Sequence, residues 1–156
     1  MKPLIIATLA ILFFAGCATP PAKIANTASG RPEVIIADTQ VGRVKSLLIG
    51  ELVNDGYSIE QDTDYSLTMS RDLKGGEQIG AAMLVGNSYS SNSRLTSFNF
   101  VQDGQNLRVI ASGTIRAVMP GGKTNTLSLD NNNAVFNILQ ELLNEIKERI
   151  DSKPIQ

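Results

Sequence analysis

Between Leu107 and Met119 the chain alternates with period two. Leu107, Val109, Ala111, Gly113, Ile115, Ala117 and Met119 fall on one side, with Arg108, Ser112, Thr114 and Arg116 on the other. Successive side chains of a strand point to opposite faces, so this run predicts a long strand with one dry face and one wet face. Such a pattern belongs to antiparallel sheets, because parallel strands are covered on both faces and read as continuous apolar runs. Asp103-Gly104 before the run is a hairpin signal. Pro120-Gly121-Gly122 ends it.

The remaining segments supply what such a sheet must pack against. Pro32-Glu33-Val34-Ile35-Ile36-Ala37 reads as a first strand, with its proline at the start. Asp38 or Thr39 is placed to cap a helix whose Val41, Val44, Leu48 and Leu52 share one face, with Leu47 beside them. Asn54-Asp55-Gly56 ends that helix, Gly56 suiting the left-handed position. Gly42 and Gly50 weaken it by about 1 kcal/mol each, and suggest a close approach to the sheet. Tyr57 and Ile59 open a second strand and Asp62-Thr63-Asp64 reads as a turn. Tyr65, Leu67 and Met69 then alternate with Ser66, Thr68 and Ser70, and Thr96, Phe98 and Phe100 alternate on a further strand. Thr124 to Leu129 is long enough for a short edge strand. The Asn131-Asn132-Asn133 run is a helix entry. Val135, Ile138, Leu139, Leu142, Leu143, Ile146 and Ile150 make an apolar stripe on a closing helix, and Glu145 and Arg149 are spaced for an i,i+4 pair. The expectation is an α+β fold of order β-α-β-β-β-β-α. It is a two-layer sandwich in which an antiparallel sheet of four to five strands carries two amphipathic helices on one face.

Composition narrows the chemistry. The chain of 156 residues has 42% apolar and 19% charged residues, the balance of one globular domain with appendages. The formal net charge is −1, so no basic excess favours nucleic acid. With no histidine, neither a Ser-His-Asp nor a Cys-His arrangement is available. With one cysteine, no intrachain disulfide and no thiolate or imidazole zinc site is expected, and no cofactor is implied.

That cysteine sits in Leu12-Phe13-Phe14-Ala15-Gly16-Cys17-Ala18. Lys2 gives a positive start, Leu4 to Phe14 an apolar run too short to span a bilayer comfortably, and Ala15-Gly16 a small-residue end, which is the three-part pattern of a signal peptide. Phe14-Ala15-Gly16-Cys17 resembles the lipobox of bacterial lipoproteins, with phenylalanine where leucine is usual. The resemblance implies removal of residues 1–16 and lipidation of Cys17. By the sorting rule of that family, Ala18 directs the product to the outer membrane, facing the periplasm. One acyl chain binds a membrane only marginally, whereas two or three hold a protein permanently. Residues 17–30 then form the lipidated start and a flexible tether rich in Ala, Pro, Thr and Ser, residues 31–150 the domain and 151–156 a tail.

Gly56-Tyr57 and Asp64-Tyr65-Ser66-Leu67 resemble segments of small envelope lipoproteins such as the lipopolysaccharide-assembly lipoprotein. Gly86-Asn87-Ser88-Tyr89-Ser90 is similar to a segment of short proteobacterial lipoproteins without assigned activity. These resemblances imply a fold and a location, and no catalytic residue.

Residues 72–94 read as a long connection with an apolar island, Ile79 to Val85. Either Met83, Leu84, Tyr89 and Arg94 anchor a partner there, or the island packs on the core. Arg108 and Arg116 share the wet sheet face, as a site for an acidic partner or as solvated residues. Asp62 and Asp64 read as turn formers rather than as cation ligands or an acid–base pair. The functional expectation is a non-catalytic binding or scaffold module with an envelope protein as partner. The alternatives are an assembly subunit of a conjugation or secretion apparatus, a carboxylate-dependent cell-wall hydrolase using two acids about 5–10 Å apart, and a lipid or small-molecule carrier with an apolar cavity between sheet and helices.

Overall fold

The computed structural model describes residues 27–78, 81 and 91–152. The predicted long strand is its centre. This strand, β5 (Asn106–Val118), buries every odd-numbered side chain from Leu107 to Ala117. Along its full length it pairs antiparallel with β4 (Ser91–Asp103) across the Asp103-Gly104 hairpin. On its other side it holds two shorter strands end to end. β1 (Glu33–Ala37) pairs with residues 106–110 and β6 (Thr124–Ser128) with residues 114–118. β3 (Ser66–Asp72) pairs with β4, and β2 (Ser58–Thr63) with β3, completing the order β1-β5-β4-β3-β2 with β6 beside β5. The fold is α+β with an antiparallel sheet of six strands, where four to five were expected, because Thr124–Ser128 makes a full ladder.

Helix α1 (Val41–Asn54) buries Val44, Leu48 and Leu52, as its spacing predicts. Its end is a Schellman motif: Gly56 N–H donates to the Val53 carbonyl and Tyr57 N–H to the Leu52 carbonyl, with Gly56 at φ +81°. Its start departs from expectation. Gln40 is the N-cap and makes no side-chain cap bond, Asp38 sits at φ +48°, and Thr39 is buried. Nothing lies within 4 Å of a Cβ placed on Gly42 or Gly50, so neither serves a close approach to the sheet.

The closing helix α2 (Asn133–Asp151) is capped by Asn132, whose Oδ1 accepts from Ala134 N–H (3.1 Å) and Val135 N–H (3.2 Å). It buries Phe136, Leu139, Leu143, Ile146 and Ile150. Ile138, predicted on that stripe, is 60% exposed, because a 3-4-3-4 spacing from Phe136 carries the contact line past it. Arg149 pairs with Glu51 of α1 (2.8 and 3.0 Å) rather than joining Glu145 in the expected helix pair. Buried residues of both helices form one cluster with Val34, Ile36, Leu67, Met69, Phe98, Phe100 and the β5 residues 107, 109 and 111.

Two local expectations are corrected on β2 and β3. Asp62 and Thr63 belong to β2, so the turn is residues 64–65. Tyr65, expected inward with Leu67 and Met69, lies in that turn and is 77% exposed. The connection read as 72–94 is also shorter, since β3 runs through Asp72 and β4 starts at Ser91. Helical residues at 76–78 follow β3, and Leu73 and Ala81 join a smaller buried cluster with Ile115 and Leu129.

Candidate functional site

The strand alternation that buries Leu107 to Ala117 presents a second set of side chains on the opposite side of the sheet. Arg108 and Arg116 stand there together, as their even positions on β5 require. Neither is a bare cation. Arg108 Nη2 donates to Glu33 Oε2 on β1 at 2.6 Å. Arg116 donates through both Nη atoms to Glu60 of β2, the Nη2–Oε2 bond being 3.1 Å. These are bidentate or charge-assisted contacts, stronger and more directional than those of lysine.

Electrostatics follow from that pairing. Burial pushes the Glu33 carboxyl up, but bonds from Ser29, Arg108 and the Ala28 N–H, with the Arg108 charge, outweigh it and hold the group below the usual carboxylate range. Glu60 is held low chiefly by its bond from Arg116, against burial, with help from Ser70 and the Arg116 charge.

Around the two ion pairs the face is hydroxyl-rich. Thr68 and Ser97 oppose one another on β3 and β4 and share a 3.0 Å bond, and Ser97 opposes Ser112 on β5. One rung is different. Arg108 lies directly between Ile35 of β1 and Val101 of β4, and these are 57% and 48% exposed. The rung therefore reads apolar, paired charge, apolar. Sequence reasoning missed Ile35 and Val101, although Ile35 was legible: between inward Val34 and Ile36 it must face out.

Arg94 stands apart from this face. It is on β4 opposite Ile115, on the side of the buried clusters, and directly across from Arg71. The two guanidiniums share Glu77 Oε1 at 3.9 and 2.8 Å, and Arg71 lies 5.3 Å from the Tyr57 ring centroid. A shallow cavity of about 310 Å³ beside Arg71 is lined by Asp55, Gly56, Ser58, Ser70, Asp72 and Lys74, so its charges are balanced. The predicted anchors Met83, Leu84 and Tyr89, and Cys17, lie outside the described residues.

Three of the acids that a hydrolase could use are each engaged by a different cation. Glu33 is held by Arg108, Glu60 by Arg116, and Asp62 by Lys45 at 2.6 Å. Lys45 also donates to the Thr63 carbonyl and sits 5.4 Å from the Phe100 ring centroid, tying α1 to the end of β2. Among the described residues no group of three or more His, Cys, Asp or Glu could hold a metal ion, and no helix is long and apolar enough to cross a membrane. The chain matches no protein-family model and no curated protein.

Proposed function

We propose that this chain is an outer-membrane-anchored lipoprotein whose periplasmic domain binds or scaffolds another envelope component without catalysis. In this reading Cys17 carries the lipid, and the domain is a two-layer sandwich with α1 and α2 on one side of the sheet. The other side is the docking face. The observation that carries the reading is the Ile35–Arg108–Val101 rung. Exposed apolar side chains flanking an arginine that is already oriented by a carboxylate suit a protein interface, whose core is apolar and in which arginine is enriched among the residues that matter most to binding. Anchoring would confine the face near its partners and raise their effective concentration. Service as an assembly subunit of a conjugation or secretion apparatus uses the same face. The engagement of Glu33, Glu60 and Asp62 by three different cations favours binding over carboxylate hydrolysis.

The anchor has a direct test. Cells expressing the chain are fed labelled palmitate, beside cells expressing Cys17→Ser. The wild-type chain should take the label and begin at Cys17, and the variant should take none. An unlabelled wild-type chain, or equal labelling of both, would contradict the proposal.

A further inference from the structure

The three outer edges of the sheet are not protected alike. An open strand edge presents main-chain N–H and C=O groups to any second strand, and proteins blunt such edges with bulges, charges, prolines or covers. On β1 the outward groups of Glu33 are taken by the Gln140 side chain. On β2 the ladder is broken by an irregularity at Glu60, and Glu60 and Asp62 add charge. Among the described residues β6 shows none of these devices. Thr124-Asn125-Thr126-Leu127-Ser128 has no charge, no proline and an unbroken register with β5, and every residue but Leu127 is exposed.

The direction of its free groups follows from the ladder. Met119 N–H donates to the Lys123 carbonyl at 2.7 Å, and Leu129 N–H donates to the Gly113 carbonyl at 2.8 Å. Odd-numbered residues therefore face β5, and Thr124, Thr126 and Ser128 point their main-chain groups away from the sheet. Among the described residues no main-chain bond reaches these three from outside.

From this edge we infer that two copies of the chain pair through β6, antiparallel and centred on Thr126. The strand is self-complementary in that register. Thr126 opposes Thr126 of the second copy, and Thr124 opposes its Ser128, so each outward-facing residue meets another outward-facing residue. All three rungs pair hydroxyl with hydroxyl, a favourable cross-strand match. A register shifted by one residue would set outward groups against inward ones and leave them unbonded. The result is a two-fold, isologous contact that continues one sheet into the next. It rests on the edge alone and does not depend on the docking reading above.

The test uses the full chain in non-ionic detergent, in a Cys17→Ser background so that each added cysteine is the sole thiol. Directly opposed hydrogen-bonded residues lie about 5.5 Å apart, within disulfide reach. Thr126→Cys should therefore give a disulfide-linked dimer on mild oxidation. Thr124→Cys should not, because its equivalent lies four residues along, about 14 Å away at 3.4 Å per residue. The double variant Thr124→Cys/Ser128→Cys should cross-link again. Light scattering of the chain with native β6 should give twice the 16.7 kDa chain mass. Thr126→Pro, which removes an outward N–H that β5 does not use, should return the chain to a monomer. A monomer by light scattering with no Thr126→Cys cross-link would overturn the inference. So would equal cross-linking by Thr124→Cys.

Discussion

The Gln140 side chain acts as a one-residue strand against Glu33. Its Oε1 accepts from the Glu33 N–H at 3.0 Å, and its Nε2 donates to the Glu33 carbonyl at 3.1 Å. The two residues are 107 positions apart, so one amide on α2 closes the ladder at the edge of β1 and fixes the helix against it. Replacing Gln140 by Leu leaves two main-chain groups without partners and should cost about 1–3 kcal/mol. Gln140→Glu should cost more, since a carboxylate cannot donate to the Glu33 carbonyl at neutral pH. Urea unfolding midpoints of the three chains check the order.

Gly113 is the point where β5 lets α2 approach. A Cβ there would lie 2.9 Å from Val135 Cγ1 and 3.6 Å from Leu129 Cβ. Valine is stiff at χ1 and cannot swing aside freely. Gly113→Ala should destabilise the domain by about 1–3 kcal/mol through overpacking. Adding Val135→Ala should recover part of that loss, and a thermal-melt double-mutant cycle measures the coupling.

The helix entry separates three adjacent asparagines. Only Asn132 caps α2, so Asn132→Ala should lose about 0.5–2 kcal/mol. Asn131→Ala, outside the cap, should stay within about 0.5 kcal/mol of the parent. Chemical denaturation of the two variants distinguishes them.

Acid should weaken the domain through Glu33 and Glu60. Both carboxyls are held below their ordinary range in the folded chain. Their contribution is therefore complete above the unfolded value of about 4.3 and is lost as pH falls through the lower folded values. Stability should fall on acidification below about pH 4.3, and the fall should be shallower in Glu33→Gln/Glu60→Gln. Unfolding midpoints measured across that range in both chains check the sign.

Much of this fold was legible because it is written in local periods. The alternation from Leu107 to Ala117, the hairpin at Asp103-Gly104 and the Gly56 helix end each depend on near neighbours, and the structure holds all three. The 3.6-residue stripe located both helices but misplaced Ile138 and omitted Phe136, since the rotation of a helix is set by what it packs on. Tyr65 continues the alternation of β3 in sequence yet lies in the turn, where its side chain is exposed although its carbonyl still accepts from Phe100 N–H. The face itself was half legible. Arg108 and Arg116 were placed together by parity, but their partners Glu33 and Glu60 lie 75 and 56 positions away, beyond any local pattern. Arg94 reads in the sequence as a loop residue with Met83, Leu84 and Tyr89, but the extension of β4 back to Ser91 places it on the side of the sheet opposite Arg108 and Arg116.

The proposed function requires that the Ile35–Arg108–Val101 side of the sheet meets a partner while the protein is held at the membrane. Site-specific photo-cross-linking in intact cells tests it most directly, with the reactive side chain at Val101 on this face or at Glu141 on the exposed side of α2. A discrete cross-linked species is expected from position 101, absent from position 141 and diminished by Cys17→Ser. Equal cross-linking from both positions, or none from position 101, would contradict it.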